Sequence, residues 1–145
     1  MPTSAERVFA ALVDWDHQGQ WMLGTRVWAT GPGITGDLGR NNGAKVSAFT
    51  GIGRVGFLDT MVITNWDEPH RVDVAHTGRV VRGTGTMLVE ALDTDHSRFI
   101  WSEDLHLPLG ALGRLGWPLV SPFFAIGIKS SLKRFAQFAA RPDTP

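Results

Sequence analysis

Residues 120–140, VSPFFAIGIKSSLKRFAQFAA, constrain the fold more than any other stretch. At roughly 100° per residue, Val120, Phe124, Ile128, Ser131, Leu132, Phe135, Phe138 and Ala139 fall on one arc. Lys129, Lys133, Arg134 and Gln137 fall on the opposite arc. The pattern predicts an amphipathic helix of about 20 residues, roughly 30 Å long. Ser121-Pro122 marks its start, because proline fits a first turn in which its missing N–H is no loss. Such a helix cannot bury three phenylalanines by itself, so the chain upstream must form a wall against it.

With 145 residues, 43% hydrophobic and 19% charged, the chain has the size and composition of one folded domain spanning 1–145. Fourteen basic and fourteen acidic residues cancel, which leaves no electrostatic footprint for nucleic acid or an anionic membrane surface. The absence of cysteine excludes disulfides, thiolate catalysis and Cys-based metal sites. Neither a leader pattern nor a run of 18 or more apolar residues occurs, which predicts a cytoplasmic protein without stable membrane insertion.

The wall is legible upstream. Thr3-Ser4-Ala5-Glu6 has capping-box spacing with Thr3 as N-cap, and Ala5, Val8, Phe9, Leu12 and Val13 recur at helical spacing, predicting a short helix over 3–14. A second helical turn is expected over 15–21. Strand character then runs from Gly24 to about Leu107. Strands are predicted at 25–30, 44–50, 57–66, 71–77, 80–92 and 97–107, with a glycine-rich loop over 31–43 and a turn at Asp67-Glu68-Pro69. Tight connections between neighbouring strands predict one antiparallel meander. A connection over 110–117 leads to the last helix and is expected to cover Phe123 and Ile126, which sit on its polar arc.

The two-residue period sorts side chains by face. Val72, Val74 and His76 share one side of their strand, as do Phe99, Trp101, Glu103, Leu105 and Leu107 of theirs. Phe57, Asp59, Met61 and Ile63 form a third row. Val81, Gly83, Gly85, Met87 and Val89 form a fourth whose glycines leave space. The face toward the helix is therefore apolar, with Asp59, His76 and Glu103 set into it. Polar groups in an apolar interior need partners. These three form either a structural hydrogen-bonded cluster, shared with water or Arg79, or a set that orients a ligand or moves protons.

Other motifs carry less. Gly51-Ile-Gly53-Arg-Val-Gly56 spells the dinucleotide fingerprint, but a strand follows where a helix would be needed, so it reads as a glycine-rich hairpin. The histidines lack paired metal spacing, and alternation puts Glu103 on the face opposite Asp104 and His106. No metal and no cofactor is expected.

The order of elements resembles the START-like helix-grip (SRPBCC) superfamily, in its polyketide cyclase/dehydrase and lipid-transport branch. The likeness is carried by SAERVFAALVDWDHQGQWM (4–22), FLDTMVITNWDEPHRV (57–72), HTGRVVRGTG (76–85) and SRFIWSEDLHLP (97–108). It implies an α+β fold in which a curved antiparallel sheet wraps a long C-terminal helix, with a short helix pair near the N-terminus. Such chains usually begin with a strand leading into the first helix. Here only Met1 and Pro2 precede Thr3, so that strand is expected to be missing, leaving a sheet edge open to pairing with a second copy of the chain.

The resemblance also implies a cavity for a lipid or polyketide-like molecule between sheet and helix. Met61, Val74, His76, Phe99, Trp101, Glu103, Phe124, Ile128 and Leu132 are its expected ligand-binding residues. In an alternative reading the protein is a polyketide cyclase, aromatase or dehydratase, with His76, Glu103 and Asp59 as catalytic candidates. A protein-interaction module using the open edge is a third.

Overall fold

The computed structural model describes residues 1–106 and 111–141, the side chains of 111–124 excepted. Helix α1 spans Ala5–Leu12, a short 3-10 helix Trp15–Gln20, and six strands follow: β1 Thr25–Gly31, β2 Lys45–Ile52, β3 Val55–Asp67, β4 Arg71–Thr77, β5 Arg82–Ala91 and β6 Ser97–Leu105. Helix α2 spans Ala111–Ala139. The strands form one sheet in the order β1-β2-β3-β4-β5-β6, every pair antiparallel. The meander and the element order are as the alternation and turn signals predict.

Two helix boundaries differ from expectation. The N-cap of α1 is Ser4, whose hydroxyl accepts from the Arg7 N–H at 3.5 Å, while Thr3 is buried. Either hydroxyl could cap, and burial of Thr3 moves the cap one residue on. The second difference is larger. Helix α2 begins at Ala111, so the connection expected over 110–117 is helical from Ala111 and the start expected at Ser121-Pro122 lies inside the helix. Ala111, Leu112, Leu115 and Leu119 favour helix, and Ser-Pro permits a start without requiring one. Pro118 and Pro122 each withhold one N–H from the ladder, and the helix runs through both. A segment that belongs to the same helix cannot fold back to cover it, and Ile126 is accordingly 67% exposed. Leu107 and the side chains of Phe123 and Phe124 lie outside the described residues.

The amphipathic arc of α2 is as the sequence predicts. Ser131, Phe135, Phe138 and Ala139 are buried, while Lys129, Lys133, Arg134 and Gln137 are exposed. Phe135 is completely buried, its ring 4.6 Å from that of Trp21 and 4.9 Å from that of Phe99. On the sheet, Val27, Val46, Ile63, Val72, Val74 and Val89 supply the buried inward row, and α1 adds Val8, Phe9 and Leu12.

Curvature has a local cause in β3. Its pairing with β4 shifts register between Ile63 and Asn65, a bulge that bends a strand and sharpens its twist. The extra residue returns Trp66 to the side of Ile63, where its ring packs edge-on against Phe9 at 5.4 Å. The motif around Gly51–Gly56 is a hairpin tip: Ile52 pairs with Val55 across Gly53-Arg54. At the far edge, Met1 and Ser97 exchange two backbone hydrogen bonds, 2.7 and 3.1 Å, so the chain start lies on the outer side of β6.

Replacing Phe135 by alanine removes a fully buried ring shared by the helix, the 3-10 segment and β6. Urea denaturation is expected to show a loss of about 3–5 kcal/mol. A loss below about 1 kcal/mol would contradict the central place given to this side chain.

Candidate functional site

The bridge between Asp59, His76 and Glu103 depends on strand geometry. Asp59 lies on β3 two residues before Met61, the partner of His76, so it is a same-face diagonal neighbour of His76 on β4, within reach of a side chain. Glu103 is farther away, on β6, with β5 in between. Two strand spacings make roughly 10 Å, which side chains rising from β5 would obstruct. None does at this point. Gly83 stands opposite His76, and Gly85 opposite Glu103. A Cβ on Gly85 would sit 2.8 Å from both carboxylate oxygens of Glu103. The glycines of the β5 row are the opening through which Glu103 reaches across.

The resulting chain of bonds is continuous. His76 Nδ1 donates to Asp59 Oδ2 at 2.8 Å, and Nε2 donates to Glu103 Oε2 at 2.9 Å. Trp101 Nε1, from the next inward position of β6, donates to Glu103 Oε1 at 2.6 Å. The His76 side chain is 6% exposed, those of Asp59 and Glu103 12% and 24%. Burial opposes a charge on His76, but hydrogen bonds to Asp59 and Glu103 and the fields of both carboxylates outweigh it, raising its pKa to about 9. At neutral pH the ring is an imidazolium, as donation from both nitrogens requires. Arg79 is exposed and takes no part in these bonds.

This cluster lines one side of a cavity of about 80 Å³. Opposite are Trp15, Gln18, Trp21 and Met22 from the 3-10 helix and the residues just after it, with Val27, Val46 and Ala48 from β1 and β2. Met61, Val74, Met87 and Trp101 complete the lining. Trp15 is anchored from behind: its indole N–H donates to the Gly39 carbonyl at 2.7 Å. Gly39 has φ +70°, and a Cβ there would fall 2.6 Å from the Trp15 nitrogen, so the glycine-rich loop closes on the indole only with glycine at this position. Gln18 is held by its amide donating to the Leu12 carbonyl. Two polar atoms of the lining residues have no hydrogen-bond partner among the described residues: Asp59 Oδ1 and Trp21 Nε1.

Of the residues singled out from sequence, Asp59, Met61, Val74, His76, Trp101 and Glu103 meet at this cavity. Phe99 and Leu132 instead line a separate groove of about 290 Å³ beside Met1, between β6 and α2. Ile128 is half-buried on α2 and lines neither, and the Phe124 side chain is outside the described set. The lining from the N-terminal third escaped sequence reasoning. Trp15 and Trp21 stand at the two ends of one short helical segment, and the alternation Val46, Ala48 was the available signal for β2. Among the described residues, no three His, Asp or Glu side chains are placed to hold a metal.

Residues 1–139 match the family described as polyketide cyclase/dehydrase and lipid transport. Similar solved structures include a protein from Thermus thermophilus at 15% identity and TM-score 0.71, covering 96% of this chain and 91% of that one. A START superfamily protein from Mycobacterium smegmatis matches at 12% identity and TM-score 0.62, over 95% and 88% of the two chains. A protein from Arthrobacter aurescens matches at 11% identity and TM-score 0.69, over 99% and 84% of the two chains. Likenesses this distant establish the fold. No curated protein matches the chain. Within the described residues, no helix is long and apolar enough to cross a membrane.

The raised pKa of His76 ties stability to pH. The imidazolium is favoured by the folded state, so its contribution is complete below the ordinary value of 6.5, declines as pH rises and is lost above about 9. The unfolding free energy is expected to drop by on the order of 3 kcal/mol across that window, and His76→Gln should remove most of the drop. A wild-type profile flat between these limits would contradict the bridge. Independently, Gly85→Ala should push Glu103 off the ring and bring the His76 titration, followed by NMR, down toward the ordinary range; an unchanged titration would show that Glu103 does not depend on that opening.

Proposed function

Because the chain belongs to the polyketide cyclase/dehydrase and lipid-transport family, we propose that it binds an apolar small molecule, lipid or polyketide-like, in the cavity between the N-terminal helical segment and the inward face of the sheet. The observation that carries this reading is the lining itself. Indoles, aliphatic side chains and three methionines surround a single polar cluster, the composition of a site that gains affinity from apolar area and orientation from a few polar atoms.

Volume bears on what enters. An engineered apolar cavity of about 150 Å³ admits benzene, and this one is about 80 Å³. Met22, Met61 and Met87 come from three different parts of the chain. Unbranched thioether chains can change rotamer at little cost, so displacement of these three is the route by which the cavity widens around a ring or chain.

Geometry favours binding over turnover. A general base needs a nitrogen free to take a proton, whereas both ring nitrogens of His76 are donors to carboxylates. In the enzyme reading, proton transfer would fall to Asp59 or Glu103, with His76 holding them. His76→Gln would then lower turnover of a polyketide substrate while leaving its binding within a few-fold.

Ala48 lines the cavity from β2 and is 7% exposed. Ala48→Leu places new methyl groups in the space with a stability cost of about 1–3 kcal/mol. Native mass spectrometry and titration against a panel of lipids and flat aromatic polyketides should show binding to wild type, weakened at least about tenfold in this variant. A folded wild-type protein that binds no member of the panel, or a variant that binds as well as wild type, would overturn the reading.

A further inference from the structure

The same cavity holds an acceptor and a donor with nothing to bond to. Asp59 is nine-tenths buried, and its Oδ2 is committed to His76 while its Oδ1 has no partner among the described residues. Trp21 is 2% exposed, and its indole N–H is likewise without a partner there. Both residues line the cavity. An unmet polar atom in such a place costs about 1–3 kcal/mol, which a molecule offering the complementary atom would recover on binding.

We propose that the ligand is an uncharged apolar molecule carrying a hydroxyl group, which donates to Asp59 Oδ1, and an oxygen acceptor, the same hydroxyl or a second one, that receives the Trp21 N–H. The inference rests on the cavity-binding reading above and narrows its ligand class. The lone acceptor is a carboxylate oxygen, so the group facing it must bring a proton. The lone donor is an N–H, so the group facing it must bring a lone pair. A hydroxyl brings both, whereas an ether or a ketone brings only the lone pair.

The cluster also sets a limit on charge. It contains two carboxylates and one imidazolium, so an anionic head group would approach an excess of negative charge in an apolar surround, where repulsion is strong. Fatty acids, phosphates and other anions are therefore excluded from this end of the cavity. Among the described residues no other cationic side chain lines it: the remaining lining residues are apolar, aromatic or the amide of Gln18, which is already bonded to the Leu12 carbonyl.

The test is a matched series of single-ring probes: p-cresol, 4-methylanisole, toluene and p-toluate, each titrated against the intact protein and followed by NMR. The four differ in the polar group and little in apolar area. Cresol is expected to bind about tenfold more tightly than methylanisole, since only it can donate to Asp59. Toluate is expected to bind more weakly than toluene. Asp59→Asn should reduce the cresol-to-methylanisole ratio toward one, and Trp21→Phe should reduce the methylanisole-to-toluene ratio while keeping the aromatic packing. Cresol and methylanisole binding the wild type equally would mean that Oδ1 is served by water alone and would overturn the inference, leaving the apolar cavity standing. Toluate binding as tightly as cresol would overturn it as well. Failure of all four to bind would overturn the cavity reading itself, and this inference with it.

Discussion

Three strands are tied together by one imidazolium. His76 on β4 gives one N–H to Asp59 on β3 and the other to Glu103 on β6, crossing β5 where that strand has only glycine to present. Burying a charge costs several kcal/mol unless it is paired and hydrogen-bonded on every side, and here each donor of the ring has an ionic partner. The arrangement fixes the rotamers of three side chains at the wall of a cavity that is otherwise apolar. It also explains the composition of β5. Gly83 and Gly85 weaken a strand taken alone, yet a side chain at Gly85 would occupy the position of the Glu103 carboxylate.

The rest of the molecule serves as a container for that wall. The bulge at Ile63 and Asn65 bends β3, Trp66 and Phe9 brace one end of the sheet, and Phe135 joins Trp21 to Phe99 at the side of α2. The glycine-rich loop holds Trp15 through the Gly39 carbonyl. Rigid indoles and flexible methionines thus share one lining, with the polar cluster fixed in its wall. Such a division suits a site that orients one polar group while adapting to the shape of what carries it.

Much of this is legible in the amino-acid sequence. The two-residue period placed Asp59, His76 and Glu103 on one face, and the 3.6-residue period placed Phe135 and Phe138 inward, because burial of one face is what both periods record. The glycine row of β5 was visible as open space, but which side chain would fill it was not, since that depends on pairing register. Trp15, Trp21, Val46 and Ala48 went unread as cavity lining because they come from elements that meet the site only after the sheet curves. Phe99 and Leu132, expected at the cavity from their inward facing and the family resemblance, line the groove beside Met1 between β6 and α2 instead. The start of α2 lies ahead of the local Ser-Pro signal because a longer helical run upstream of it prevails.

The central claim is that His76 is a doubly donating cation held between two carboxylates. Ring nitrogen chemical shifts, measured by NMR on protein with labelled histidine near neutral pH, report it directly. The account predicts that Nδ1 and Nε2 of His76 both show protonated, imidazolium-type shifts under conditions in which an ordinary histidine is mostly neutral. One protonated and one bare nitrogen would contradict it, since the ring could then donate to only one of the two carboxylates.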